Sequence, residues 1–295
     1  MKIWYDRLVI LRYLLPLTLI FLITMRSFAE IPSKGDWIVI GDEEVQNQNI
    51  VLNGNIIVKK GGSLTMREVD TEIASSGDNP YGISVEPEGS LSIHNSRIFS
   101  DAKCGFTFVA GSPFKDHKPT SASLVIKGSR FCGINGLQLN AIDYAEIDGN
   151  TFMVNVPDDH INCLDLNGSR NCTIKNNTIE VYPPVSAGSH SPVNGIAASR
   201  SHYNTITGNH ISDTRNGFNL AFSWNNQITD NTWVGPIGWS DLKTLTSRWW
   251  SVGTTDVAGE AGLYLGPWSN NNIVENNTFL HSNTGIIIVE QSGSN

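Results

Sequence analysis

The sequence predicts an all-β fold in which the chain winds into a parallel β-helix, a single-stranded solenoid of about 8–10 coils of roughly 22 residues plus insertions. A strand pattern Gly-Φ-x-Φ, in which Φ is apolar, recurs eight times between Gly82 and Ile288, once with Cys163 in place of the glycine, and its smallest steps are 22 and 23 residues. A second pattern, apolar-x-x-Asn-x-apolar, follows several of these strands. No helix-length segment separates the strands, and two-residue hairpin turns are missing at the required spacing, which excludes βαβ units and an antiparallel sandwich.

The first 29 residues predict a secretory signal peptide. Lys2, Arg7 and Arg12 form a positive start, an apolar run occupies residues 14–23, and Ser27-Phe28-Ala29 is a small-x-small cleavage site. The apolar run is shorter than the about 20 residues that a spanning helix needs, so cleavage is favoured over an uncleaved anchor. We therefore expect a secreted, periplasmic or cell-surface protein with no membrane span after cleavage.

Composition narrows the choice of partners. Cleavage after Ala29 removes four basic residues and one acidic residue from the 20 and 28 of the whole chain, so the mature net charge becomes −11. An acidic protein repels nucleic acid, which argues against that partner. The four cysteines have no CxxC spacing, which argues against a zinc site, and the sequence leaves one disulfide and buried free thiols equally open.

The remaining chain divides into a cap and the solenoid. Residues 30–54 read as short strands that cover the first coil, and residues 55–295 form the β-helix. Gly at the strand entrance and Asn at the bend suit backbone conformations that bulkier residues avoid, and stacked Asn side chains can bond to one another between coils. The step of 45 residues between Phe218 and Leu263 is either two coils or one coil with the Trp-rich insertion 234–262. That insertion is either a flap over a groove or a packed plug.

At the C-terminal end, the sequence GIIIVEQSGSN is a strand followed by the start of a polar turn. This leaves open whether another subunit covers the last coil or the sequence continues.

The segment GIAASRSHYNTITGNHISDTRNGFNLAFSWNNQITDNTW resembles a known family through its rhythm of Gly-Ile, a Ser/Asn-rich turn and Thr-Ile-x-x-Asn-x-Ile. It is similar to the NosD-type or CASH-type repeats of the right-handed parallel β-helix superfamily, which has the pectate-lyase-like fold. The resemblance covers residues 55 to the end and implies a right-handed solenoid. The superfamily includes polysaccharide lyases, polygalacturonase-like hydrolases, alginate epimerases and non-catalytic surface proteins, so the fold does not settle the function.

The outward position x of the Gly-Φ-x-Φ strands predicts a polar stripe along one sheet, because alternate strand residues face opposite sides. Its members are Ser84, Thr107, Gln138, Asp165, Ala197, Asn219, Tyr264 and Ile287. Loops on both sides of these strands would wall a groove lined with Asp, His, Arg and Trp, the side chains that a polysaccharide site needs. Aromatic faces stack on sugar rings, and carboxylates or a His–Arg set supply acid and base.

Two sets of site residues follow. The candidate catalytic set is Asp158, Asp159, His160, Asp165, Arg200 and Arg215, and the candidate substrate-binding set is His190, His202, Asn219, Trp224, Tyr264 and Trp268. Asp158, Asp159 and Asp165 resemble the aspartates of the polygalacturonase-like hydrolases, although the Gly-His-Gly and Arg-x-Lys signatures of that family are missing. A lyase would instead use Arg200, Arg215 or His160 as base, with Ca²⁺ as the ion that the aspartates would hold; the sequence does not identify the metal.

The sequence therefore predicts a polysaccharide-acting or polysaccharide-binding β-helix, of lyase, hydrolase or epimerase type if it is an enzyme. The alternative is a non-catalytic carbohydrate-binding surface protein or a periplasmic accessory protein of the NosD type. The few, dispersed Met and His residues of the sequence give no copper cluster. Oligomeric state is left open.

Overall fold

The computed structural model describes residues 30–75, 80–101, 103–112, 121–155, 161–182, 193–235, 261–282 and 284–289. In these ranges every helical or strand element is a β-strand, and all strand pairs are parallel. None of these ranges contains a helix suited to crossing a bilayer. The predicted all-β parallel β-helix is confirmed.

Each coil of the solenoid contributes one strand to each of three faces, which we call A, B and C in chain order. Face A, which carries the Gly-Φ-x-Φ strands, contains β1 (Trp37–Val39), β4 (Ile56–Val58), β7 (Gly82–Val85), β10 (Phe106–Gly111), the second half of β12 (Arg130–Asn140), β15 (Ile161–Asn167), β18 (Val193–Ser199), β21 (Asn216–Ala221), β24 (Ala261–Leu265) and β27 (Thr284–Ile288).

Faces B and C follow in every coil. Face B contains β2 (Asp42–Gln46), β5 (Ser63–Arg67), β8 (Ser90–His94), β11 (Ser123–Lys127), β13 (Glu146–Asp148), β16 (Thr173–Lys175), β19 (Thr205–Thr207), β22 (Gln227–Thr229) and β25 (Ile273–Glu275). Face C contains β3 (Asn49–Leu52), β6 (Asp70–Ile73), β9 (Arg97–Phe99), the first half of β12, β14 (Thr151–Asn155), β17 (Thr178–Tyr182), β20 (His210–Ser212), β23 (Thr232–Val234) and β26 (Thr278–Leu280).

The core lies inside the solenoid and is built from the inward positions of all three faces. Leu164 and Leu166 of face A are both buried, and Phe108, Phe131 and Phe152 of neighbouring coils pack with ring centroids 5.1–6.1 Å apart. A glycine before the inward strand residues keeps the coils close: a Cβ at Gly217 would lie 2.5 Å from the Gly262 carbonyl oxygen. The glycine of the Gly-Φ-x-Φ pattern therefore reflects the close approach of neighbouring coils on face A.

A ladder of side chains runs along the turn between faces B and C. Each member accepts a hydrogen bond from the backbone N–H of the equivalent residue one coil earlier, at 2.8–3.1 Å. The members are Ser96, Ser129, Asn150, Asn177, Asn209, Asn231 and Asn277. The predicted bonding between stacked Asn side chains is present. The left-handed backbone, however, belongs to the preceding residue, as in Asn176 with φ 56°, because the ladder residue must aim its side chain inward.

The described ranges decide two questions that the sequence left open, which are the nature of the 45-residue step and the state of the cysteines. β21 pairs directly with β24, so the step of 45 residues is one coil with an insertion. All four cysteines are free thiols, and burial raises the pKa of both Cys163 and Cys172 to about 12. In the segment assigned to the cap, β1, β2 and β3 pair in register with β4, β5 and β6 as an ordinary coil would.

Candidate functional site

The outward stripe of face A is a single column whose members lie one coil apart. Gln138, Asp165, Ala197, Asn219 and Tyr264 are consecutive partners in the strand register. We call these five residues the groove column. The predicted site residues Asp165, Asn219 and Tyr264 therefore share one line on the surface. The column continues toward the N-terminus through Val109 and Ser84, so the expectation that Thr107 belongs to it is wrong.

Asp165 is the carboxylate of the groove column. It is partly buried between the neutral residues Gln138 and Ala197. Burial raises the pKa of Asp165, and a hydrogen bond from the Asn162 side chain opposes that effect. Because the carboxyl group is held in a poorly solvated place, it is suited to donate or share a proton with a bound hydroxyl.

An amide ladder borders the entry edge of face A. The side-chain amide of Asn194 donates to Asn162 Oδ1 and that of Asn216 donates to Asn194 Oδ1, both at 2.8 Å. This ladder fixes the orientation of Asn162 and, through it, of Asp165. It follows the stretch that carries Asp158, Asp159 and His160 in one coil and His190 in the next. Those four predicted site residues lie outside the described residues, as do residues 236–260 of the Trp-rich insertion.

The turn from face A to face B carries the other predicted wall. Arg170, His202 and Trp224 occupy equivalent positions in three successive coils. Arg200 lies two residues before His202, and its guanidinium carbon is 5.8 Å from the centroid of the Phe222 ring in the next coil. The structure thus brings Arg200, His202, Trp224 and Trp268 to one corner. Arg215 lies in the opposite turn, before β21, and is 4% exposed.

His202 is a neutral, buried imidazole. Its ring stacks on Trp224 with centroids 3.3 Å apart and an angle of 18° between the planes. Nδ1 of His202 accepts a hydrogen bond from the Trp224 backbone N–H at 3.3 Å. Burial, helped by the positive charge of Arg170, lowers the pKa of His202 to about 4. At neutral pH this residue is therefore a flat support behind the Trp224 ring.

Exposed aromatic residues that the sequence patterns did not single out complete this corner. Tyr144, Tyr203 and Phe222 join Trp224 and Trp268, and all five are between 40% and 74% exposed. We call this set the aromatic corner. Four of its members, Tyr144, Tyr203, Phe222 and Trp268, have φ between 53° and 64°. That backbone region is unfavourable for bulky side chains, and strained residues of this kind concentrate at functional sites.

The strain at the aromatic corner is avoidable, as neighbouring coils show. At the position of Tyr144 and Tyr203, other coils carry Asn171, Asn225 and Asn271. At the position of Phe222 and Trp268, other coils carry Ala141, Gly168 and Arg200 in the same left-handed conformation, so only Gly168 avoids the strain there. A comparison of equivalent turn positions between coils would have found this signal in the sequence.

The comparisons with known proteins agree with this architecture. The sequence model of a family described as "Periplasmic copper-binding protein (NosD)" matches residues 158–266 and 184–295, together just under half of the chain. No curated protein matches.

Two solved structures that align with the chain are mutants of the periplasmic alginate epimerase AlgG. A double mutant aligns with 88% of this chain at 13% identity and a TM-score of 0.45, and the alignment spans 66% of that protein, just under two thirds. A single mutant aligns with 87% of this chain and 76% of its own at 11% identity and a TM-score of 0.33. By its observed strand pairing the chain is a parallel β-helix protein, and its second half is similar to the NosD family model.

Proposed function

We propose that this protein is a periplasmic polysaccharide-binding β-helix that holds a glycan chain over the groove column and the aromatic corner. The observation that carries the proposal is the aromatic corner, where five exposed rings cluster and four of them occupy strained left-handed backbone positions. Flat exposed rings offer contact area to sugar rings at low cost in side-chain entropy. The periplasmic part of the proposal rests on the predicted signal peptide and on the family description.

Binding is favoured over catalysis by the chemistry of the described residues. His202 is uncharged and stacked, so it does not serve as a base that faces the groove. Arg215 is buried beneath the surface. Asn219 and Tyr264 extend the groove column with groups that can hydrogen-bond to hydroxyls.

One observation favours an enzyme as the second candidate. Burial raises the pKa of Asp165, and a carboxylic acid with a raised pKa is what glycoside cleavage needs as proton donor. The partner carboxylate would then be Asp158 or Asp159, as the sequence predicts, with Arg200 beside the substrate. A metal such as Ca²⁺ at these aspartates stays a prediction.

Binding to a panel of soluble acidic and neutral polysaccharides would test the proposal by affinity electrophoresis. Trp224→Ala and Trp268→Ala should each weaken binding by roughly two- to tenfold, because a lost ring contact is worth about 0.5–1.5 kcal/mol. Tyr182→Ala is the matched control, since Tyr182 is an exposed aromatic residue on face C. Equal binding by wild type and both Trp variants on every polymer that binds, or no binding at all, would refute the proposal.

A product assay on the same panel separates binding from catalysis. We expect bound polymers to keep their length and composition. Release of reducing ends, of unsaturated products or of epimerised residues by wild type, with loss of that activity in Asp165→Asn, would replace the binding function with the enzymatic one.

A further inference from the structure

The groove column contains one small residue between two longer polar ones. Ala197 is the register partner of Asp165 in the preceding coil and of Asn219 in the next coil. Its chain neighbours Ile196 and Ala198 belong to the hydrophobic core, whereas Ala197 does not and is 7% exposed. Because both flanking side chains are longer, the methyl group of Ala197 is the floor of a gap between them. We call this gap the Ala197 hollow.

The two side chains that flank the Ala197 hollow can each make a further hydrogen bond. Asp165 and Asn219 are both partly exposed. The carboxyl group of Asp165 receives a hydrogen bond from the Asn162 side chain and keeps further lone pairs for another donor. In the part of the chain that the structure describes, no residue bonds to the side-chain amide of Asn219. The hollow therefore has an acceptor on one side, an amide donor on the other and an apolar floor.

An acetamido group matches this arrangement in shape and in length. In a trans amide the N–H and the C=O point in opposite directions, so one can meet Asp165 and the other Asn219 while the methyl group rests on Ala197. Two N–H···O bonds of about 2.9 Å, across an amide whose N and O are about 2.3 Å apart, span about 8 Å. The Cα atoms of Asp165 and Asn219 are two coils apart, about 9–10 Å. A slight lean of both side chains toward the hollow closes the difference.

The charge of the groove column disfavours an acidic substituent at this place. Asp165 is its acidic member, and Gln138, Ala197, Asn219 and Tyr264 carry no charge at neutral pH. The carboxylate of a uronic acid in the Ala197 hollow would face the Asp165 carboxyl group, and like charges repel. A hydroxyl group would reach one flank of the hollow and leave the apolar floor without a contact.

We propose that the Ala197 hollow binds the N-acetyl group of a hexosamine, so that the glycan held by this protein contains N-acetylated amino sugars. The inference rests on the proposed glycan binding and names the class of sugar that the groove column selects. The aromatic corner supplies affinity for sugar rings in general, whereas the Ala197 hollow supplies selectivity for the acetamido group.

Titration calorimetry with matched oligosaccharides would test the inference on the full mature chain. The probes are oligomers of N-acetylglucosamine, glucosamine and glucose that share one length and one linkage, together with the corresponding galactose series. In at least one series the acetylated oligomer should bind at least tenfold more tightly than the other two. The physical reason is that the acetamido group adds two hydrogen bonds and buries a methyl group.

Three variants and a control locate the preference. Ala197→Leu fills the hollow, and Asn219→Leu keeps a similar shape but removes the amide donor, so each should reduce the preference for the acetylated oligomer to less than threefold. Ser84→Leu is the matched control on face A outside the groove column and should keep the preference. Trp224→Ala should weaken the binding of all oligomers by the same factor, which separates affinity at the aromatic corner from selectivity at the hollow.

Two results would overturn the inference and leave the proposed glycan binding standing. The first is that wild type binds glucose or glucosamine oligomers, or their galactose counterparts, as tightly as the acetylated ones. The second is a preference for acetylated oligomers that survives in both Ala197→Leu and Asn219→Leu. Binding of no oligomer by wild type would contradict both proposals. Thermal unfolding of each variant checks that a changed preference does not reflect a lost fold.

Discussion

Acidification should destabilise the protein through His202. The folded state holds this imidazole neutral down to a pKa of about 4, whereas its ordinary value is 6.5. Between those two pH values the unfolded chain binds a proton that the folded chain does not, so stability falls as pH falls from 6.5 to about 4 and is unaffected above 6.5. A tenfold change in proton affinity is worth about 1.4 kcal/mol, so the difference between 6.5 and about 4 sets the loss at no more than about 3.5 kcal/mol.

The cause of this loss is local to the aromatic corner. A proton on Nδ1 of His202 would remove the acceptor for the Trp224 N–H and place a positive charge beside Arg170. Burial also raises the pKa of Asp165 and that of Asp143, which lies opposite Arg170 one coil earlier. Both shifts act in the opposite direction, because the folded state binds these protons more tightly than the unfolded chain does. The difference between wild type and a His202 variant therefore isolates the imidazole from the carboxyl groups.

Denaturant unfolding at pH 7.0, 6.0, 5.0 and 4.5 would measure the effect in wild type and His202→Gln, since the Gln side-chain oxygen can accept the Trp224 N–H but does not titrate in this range. Wild type should lose about 2–3 kcal/mol more than His202→Gln over this range, with Trp fluorescence reporting the corner. An identical pH dependence of the two proteins would refute the assignment of a buried neutral imidazole.

Two further predictions concern the solenoid itself. Asn177→Ala should lower the free energy of unfolding by about 3–5 kcal/mol, because it leaves the buried Asn150 N–H and the Ile147 carbonyl without the partners that lie 2.9–3.0 Å away. Asn176→Gly in the same turn is the control and should change it by no more than about 1 kcal/mol, since φ is 56° there. Similar unfolding midpoints for the two variants would contradict a stabilising role of the ladder. Gly217→Ala should cost about 1–3 kcal/mol by overpacking against the Gly262 carbonyl, while Gly41→Ala, which meets no atom within 4 Å, should be neutral by thermal unfolding.

The architecture was predictable because every coil of a solenoid makes the same contacts, so the residues at those contacts recur along the sequence. Each Gly-Φ-x-Φ strand and each ladder Asn reports a contact that every coil must make. The register of one strand was not predictable from the same pattern. In β10, the apolar alternation fits both Phe106-Thr107-Phe108 and Phe108-Val109-Ala110. Only the pairing of Val109 with Ser84 in one neighbouring strand and with Gln138 in the other, past a register shift, selects the second.

The site was less predictable because its signals are not periodic. The groove column followed from alternation, so Asp165, Asn219 and Tyr264 were aligned correctly. Tyr203 and Phe222 were missed because an exposed aromatic residue in a turn satisfies no repeat.

On a solenoid, columns of equivalent residues with a structural role differ from those with a functional role in residue type and in backbone strain. A column that repeats one residue type at little strain, such as Asn177, Asn209 and Asn231, stabilises the coil and is buried. A column that changes residue type between coils and places bulky residues at left-handed backbone positions costs stability, on the order of 1–3 kcal/mol per strained residue. Such a cost is retained where the exposed side chain makes a contact outside the fold. By this reasoning Tyr203 and Phe222 are part of the proposed glycan-binding surface even though no sequence motif contains them.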